Sequence, residues 1–140
     1  MKWLIAFDLD GTLAESKRPL SEDMAAILAR LLAITDVAVI SGGDWPQFEK
    51  QIASRLPAGV ALDRLWLMPT TGTKLYRFIN GAWRAVYAEL FDDAEKAKIR
   101  TAFDQALTDA GLADERIWGE RIEDRGSQIT FSGLGQAAPL

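Results

Sequence analysis

The chain has 140 residues, a length suited to one ordinary domain, and its 49% hydrophobic and 26% charged residues describe a globular protein rather than a disordered one. A formal net charge of −4 with no basic run argues against nucleic acid as the main partner. With no cysteine and no histidine, the sequence excludes disulfides, thiolate and imidazole metal sites, and Ser-His or Cys-His nucleophile pairs; chemistry at neutral pH falls to carboxylates, lysine, tyrosine, hydroxyls or a metal held by oxygen.

Trp3 to Phe7 is a continuous apolar run bounded by Asp and Gly, which predicts a strand buried on both faces. It is far too short to span a membrane and no small-residue cleavage site follows it, so the expectation is a soluble cytoplasmic protein. Ala14 to Pro19 is polar and reads as a loop. Ser21 is placed to cap a helix carrying Met24, Ile27, Leu28 and Leu31 at helical spacing. Val37 to Ile40 is a second buried strand, followed by the turn Ser41-Gly42-Gly43. Asp44 then caps a second helix, with Pro46 in its first turn and Phe48, Ile52 and Leu56 on one face. Leu65 to Met68 is a third strand. This alternation predicts a parallel sheet covered by helices, and right-handed crossovers bring Asp8, Ser41 and Thr70 to one edge of it. Trp3 and Trp66 are expected in the core; Trp45, next to the turn, is the tryptophan to watch near a ligand.

The pattern changes after Gly72. Lys74 to Ile79 and Ala82 to Tyr87 flank Asn80-Gly81, a strong hairpin signal. Asp92 and Glu95 have capping-box spacing. Ile99, Ala102, Phe103, Ala106, Leu107 and Ala110 form a helical face ending at Gly111, a natural C′ residue. Glu115 to Glu123 and Ser127 to Ser132 are candidate strands around Arg125-Gly126. The first half thus reads as parallel α/β and the second as antiparallel sheet with helix cover, dividing near Thr73 into residues 1–73 and 74–140.

Asp8 and Asp10 stand two apart at a strand end, where alternate residues point the same way. The Asp8 carboxylate, with either the side chain or the backbone carbonyl of Asp10, can face one point. Such hard oxygen ligands suit Mg²⁺. A cation there would shield an anionic nucleophile from an anionic substrate. Asp8 could attack phosphorus and form an aspartyl phosphate. Asp10 could protonate the leaving oxygen and later deprotonate water. Gly11 permits the sharp turn, and Thr12 can tie the loop to itself.

At Asp8-Leu9-Asp10-Gly11-Thr12-Leu13 the chain resembles the haloacid dehalogenase superfamily of phosphotransferases, matching that family's first motif completely. The resemblance implies a Rossmann-like core with an inserted α+β cap, Mg²⁺ as cofactor, Asp8 as nucleophile and metal ligand, and Asp10 as general acid/base and metal ligand. Ser41 falls where the second motif places a hydroxyl, so its side chain and the Gly42 amide would hold the phosphoryl group alongside Gly11 and Thr12. The second half is similar to the cap of the sugar-phosphate branch, which includes Cof-like phosphatases and eukaryotic-type phosphomannomutases. Within Arg121 to Gln136, Arg125 matches an arginine that contacts the substrate's distal phosphate. A second arginine of the mutase pattern aligns with Gln136, which tells against a mutase, because an amide grips phosphate poorly beside a guanidinium. The family's later Lys and final acidic motif have no counterpart here, and Lys50 and Lys74 stand at the wrong place in chain order. The core is therefore expected to be incomplete, with a hydrophobic sheet edge exposed. The resemblance implies a phosphatase acting on a small phosphorylated metabolite, a sugar phosphate first; the alternatives are a phosphomannomutase-like phosphotransferase and a non-catalytic fragment.

Overall fold

Val37, Ala38 and Val39 are almost wholly withdrawn from solvent, and the sheet is organised around them. In the computed structural model, which describes residues 3–139, they form the middle of strand β2 (Asp36–Ile40). On one side β2 pairs in parallel with β1 (Leu4–Asp8), on the other with β3 (Leu65–Met68). Two further strands, β4 (Lys74–Ile79) and β5 (Ala82–Ala88), add antiparallel, giving one five-stranded sheet in the order β1-β2-β3-β4-β5. The three parallel strands read from the first half of the sequence are observed, within a sheet that is mixed parallel and antiparallel.

Helix α1 (Glu22–Leu32) starts where expected: the Ser21 hydroxyl accepts from the Met24 amide. Helix α2 (Trp45–Gln51) is capped by Asp44, whose carboxylate accepts from the Trp45 amide at 2.7 Å. Leu28 and Leu32 of α1 and Phe48 of α2 join Leu9, Val37, Val39, Ile52, Leu65 and Leu67 in one core.

Three expectations are corrected. The first strand is not buried on both faces. It lies at the end of the sheet, with Trp3 68%, Leu4 56% and Ile5 40% exposed, so Trp3 is not a core residue. The Asp36 amide donates to the Trp3 carbonyl, which fixes the register. The backbone groups of Leu4, Ala6 and Asp8 consequently point away from β2. An apolar slot of about 230 Å³ between Phe7, Leu13 and the Met24, Ile27 and Leu31 side of α1 continues this surface. A strand apolar on both faces suits a sheet interior; here it forms an open hydrophobic edge. Such an edge is a template for strand pairing between chains. Concentration-dependent association is therefore expected, and Leu4→Lys should reduce it in sedimentation velocity; equal association of both chains would refute this role of the edge.

The second correction concerns the hairpin. Asn80 (φ 52°) and Gly81 (φ 78°) make the tight turn that the sequence announces. Yet β4 pairs with β3 through Trp66↔Arg77 and Leu67↔Tyr76, and the Arg77 guanidinium lies 3.7 Å from the centre of the Trp66 ring. The chain divides into two compact units after Ala88, so residues 74–88 go with the first unit and not, as their position after Gly72 implied, with the second.

The second unit contains helix α3 (Asp93–Asp109), opened by the expected Asp92–Glu95 capping box and followed by Gly111 at φ 69°. Its covered row is narrower than the sequence implied: Ile99, Phe103 and Leu107 are half-buried, while Ala102, Ala106 and Ala110 are exposed. A short antiparallel pair, β6 (Ile122–Asp124) and β7 (Ile129–Phe131), completes the unit, with Phe103 stacked on Phe131. The third correction is that 115–121 forms no strand. Gly119 takes φ 74°, and the Trp118 carbonyl accepts from Ala137, so the segment turns back on the chain end instead of extending. Among the described residues, no helix is long and apolar enough to cross a membrane.

Candidate active site

Leu9 anchors the aspartate loop. It is fully buried, and by alternation it turns its neighbours Asp8 and Asp10 outward from the core. The Leu9 carbonyl accepts from the amides of Thr12, Leu13 and Ala14, and the Gly11 amide donates to the Ala14 carbonyl at 2.7 Å. Gly11 sits at φ 81°, a left-handed conformation that a side chain would strain. The Thr12 hydroxyl reaches Asp8 Oδ2 at 3.5 Å, the outer limit of a hydrogen bond, leaving the exposed Asp8 carboxylate lightly held.

Asp10 is held much more firmly. Its Oδ1 accepts from the Lys17 amide and from Gln51 Nε2, both at 3.1 Å, and its Oδ2 accepts from Gln47 Nε2 at 3.3 Å. Neither glutamine was singled out from the sequence. The available signal is their spacing: residues four apart on a helix share a face, and this helix follows directly on the turn that starts at Ser41.

Asp8 pairs with Ile40, so Asp8 and Ser41 leave adjacent strands at the same carboxyl edge. Ser41 is buried and Gly42 exposed. The Ser41 and Gly43 carbonyls accept from the Thr71 and Thr70 amides at 2.9 and 2.8 Å, tying the loop after β3 to the turn after β2. Thr70 (φ 50°) and Thr71 (φ 58°) pay for this with left-handed backbone unusual in a β-branched residue, the kind of local strain that collects at working sites. An open depression of about 560 Å³ lies beside the aspartate loop, lined by Gly11, Thr12, Ala14, Glu15, Arg18 and Ser21 among others.

Lys74, at the start of β4, is buried and bonds Asp44 Oδ1 at 2.7 Å. Trp45 stacks on Tyr76 with ring centres 4.0 Å apart and meets Trp83 at 5.8 Å. Burial first, and the Asp44 charge second, push the Tyr76 phenol above its ordinary value of 10.0. A raised folded value means that the protonated phenol's contribution is complete below pH 10.0 and drains away as the pH climbs through the folded titration. In a Tyr87→Phe background, where Tyr76 is the remaining tyrosine, its phenolate absorbance should appear above pH 10.0, and lower in urea-unfolded protein.

Arg125 belongs to the second unit, where its guanidinium meets Glu123 Oε2 at 2.7 Å. Arg121, four residues earlier, is buried and donates to the Leu112 carbonyl. The structure therefore gathers Asp8, Asp10, Gly11, Thr12, Ser41 and Gly42 in the first unit and sets Arg125 among partners of its own. Among the described residues, no group of three or more acidic side chains stands together as a metal site.

The fold is that of haloacid dehalogenase-like hydrolases. The chain is similar to an IMP-nucleotidase of Plasmodium falciparum (TM-score 0.64, 15% identity) over 91% of its own length and 38% of that protein's. It is similar to a haloacid dehalogenase-like hydrolase from B. subtilis (TM-score 0.54, 24% identity) over 76% of its length and 34% of that protein's. A third such hydrolase, from Bacteroides thetaiotaomicron, matches 79% of the chain at 17% identity, with a TM-score of 0.50, and is 39% covered. The chain thus spans well under half of these proteins. No protein-family model and no curated protein matches the sequence.

Proposed function

We propose that this chain carries the nucleophile-bearing half of a magnesium-dependent phosphohydrolase acting on a small phosphorylated metabolite, a sugar phosphate first. The observation that carries this reading is the pairing of a lightly held Asp8 with a firmly held Asp10 on one turn, at the carboxyl edge of a parallel sheet where ligands bind. The chain's donors fit Mg²⁺. Asp8 offers a carboxylate, and because three N–H groups already occupy the Asp10 carboxylate, the Asp10 backbone carbonyl is the oxygen assigned to the metal. Two such ligands leave the remaining positions to water and substrate, as Mg²⁺ prefers. When bound, the ion supplies positive charge between carboxylate and phosphate.

Asp8 attacks phosphorus, forming the aspartyl P–O bond as the bond to the leaving oxygen breaks, and protonated Asp10 gives that oxygen its proton. Water then attacks the aspartyl phosphate, passes a proton to the Asp10 carboxylate, and inorganic phosphate departs from Asp8. The Ser41 hydroxyl and Gly42 amide are assigned to the phosphoryl oxygens.

Incubation of the 140-residue chain with sugar phosphates and a nucleoside monophosphate should release phosphate with Mg²⁺ and none with EDTA. The open β1 edge supports a second reading, in which turnover needs further strands beside β1. Activity confined to a longer chain or an added partner would favour it; activity unaffected by EDTA would refute the magnesium chemistry.

A further inference from the structure

Gln51 is 2% exposed, and burying a primary amide costs free energy unless its groups are bonded. Its Nε2 lies 2.6 Å from the Arg18 carbonyl and 3.1 Å from Asp10 Oδ1, two acceptors that only the nitrogen end of the amide can serve. One turn earlier, Gln47 Nε2 approaches the other carboxylate oxygen. Each oxygen of Asp10 is therefore met by its own amide from the same face of α2.

Room for this comes from Gly43. A Cβ built there would overlap the Gln47 amide, although the Gly43 backbone lies outside the left-handed region. The glycine supplies space here, not an unusual conformation. Gln51 Oε1, meanwhile, is buried with no protein donor, an arrangement that stability alone disfavours and that places the amide nitrogen where Asp10 needs it.

We infer that Gln47 and Gln51 are positioning residues: an amide clamp that fixes the plane of the Asp10 carboxylate for proton exchange with the leaving oxygen and keeps that carboxylate off the metal. This rests on the reading of Asp10 as the proton carrier. Alignment matters most when the leaving oxygen is a poor one. An alkoxide cannot leave without its proton, whereas nitrophenolate leaves nearly unaided.

The test compares kcat/KM for glycerol phosphate and for p-nitrophenyl phosphate, with Mg²⁺, in the parent chain and in Gln51→Leu, Gln47→Leu and Gly43→Ala. Gln51→Leu should lose about ten- to a hundredfold on the alkyl ester and less than about threefold on the aryl ester, the scale of a misaligned general acid. Gly43→Ala should reproduce Gln47→Leu without altering either glutamine. Equal losses on both esters, or none, overturn the proposal. A readout independent of turnover is the pair of side-chain NH₂ resonances of Gln47 and Gln51 in ¹⁵N NMR. They should be shifted and slow to exchange in the parent; in Asp10→Ala the Gln47 pair and the Gln51 proton facing Asp10 should move to ordinary values, while the Gln51 proton on the Arg18 carbonyl stays protected. If the parent hydrolyses neither ester, turnover by the 140-residue chain alone fails by itself and these resonances decide the clamp: their response to Asp10→Ala supports it, and resonances indifferent to Asp10→Ala overturn it.

Discussion

Asp8→Asn is expected to remove phosphate release while leaving the fold intact. Asparagine keeps the shape of the side chain but offers no anionic oxygen to attack phosphorus, and loss of a covalent nucleophile costs about 10⁴- to 10⁶-fold in kcat. The structural cost is small because the parent carboxylate is exposed and engaged only by the Thr12 hydroxyl at 3.5 Å. A surface change of this kind alters stability by about 0.5 kcal/mol or less. The measurement is kcat beside a thermal melt: a collapse of the first with an unmoved second supports Asp8 as nucleophile. Turnover within about tenfold of the parent would leave no room for an aspartyl phosphate at this position. Asp10→Asn provides the contrast, since there a neutral amide would face Gln47 and Gln51 donors that now meet a carboxylate, and the loop itself should loosen.

How far the sequence went depended on the range of the information needed. The aspartate turn was legible because its causes are local: Leu9 buried between two acids, Gly11 at positive φ, and a strand period that sets Asp8 at the sheet edge. The caps of α1, α2 and α3 were legible for the same reason. The environment of β1 was not, because an apolar run states what a strand would bury but not which neighbours stand beside it. The allegiance of the 74–88 hairpin was hidden likewise. Asn80-Gly81 specifies the turn, whereas pairing with β3 is decided by Trp66 and Arg77, eleven residues apart. The expected strand over 115–121 lost to the turns at Gly119 and Gly135, where a side chain on Gly135 would overlap the Trp118 backbone. Gln47 and Gln51 read as ordinary polar residues of a helix until the fold brings Asp10 to them.

Phe48→Ala is expected to be the most damaging single change to the first unit. Phe48 is fully buried, and it lies on α2 between Gln47 and Gln51, so the side chain that fixes this helix to the sheet also sets the height of both amides above Asp10. Truncating a buried phenylalanine costs about 3–5 kcal/mol through lost transfer energy and the cavity left behind. A unit running to Ala88 has roughly 4–13 kcal/mol of stability to lose, on the usual scale per residue. The midpoint of its melt should therefore fall by roughly 15–30 °C. Phe48→Leu fills most of the space and should cost markedly less, which separates cavity formation from a requirement for the ring. The diagnostic is the order of losses below the new midpoint: with α2 loosened and the sheet still folded, the Gln51 amide resonances should broaden before those of the Val37–Val39 backbone. Simultaneous loss of both would mean that α2 and the sheet form one cooperative block, and that the clamp is as stable as the core beneath it.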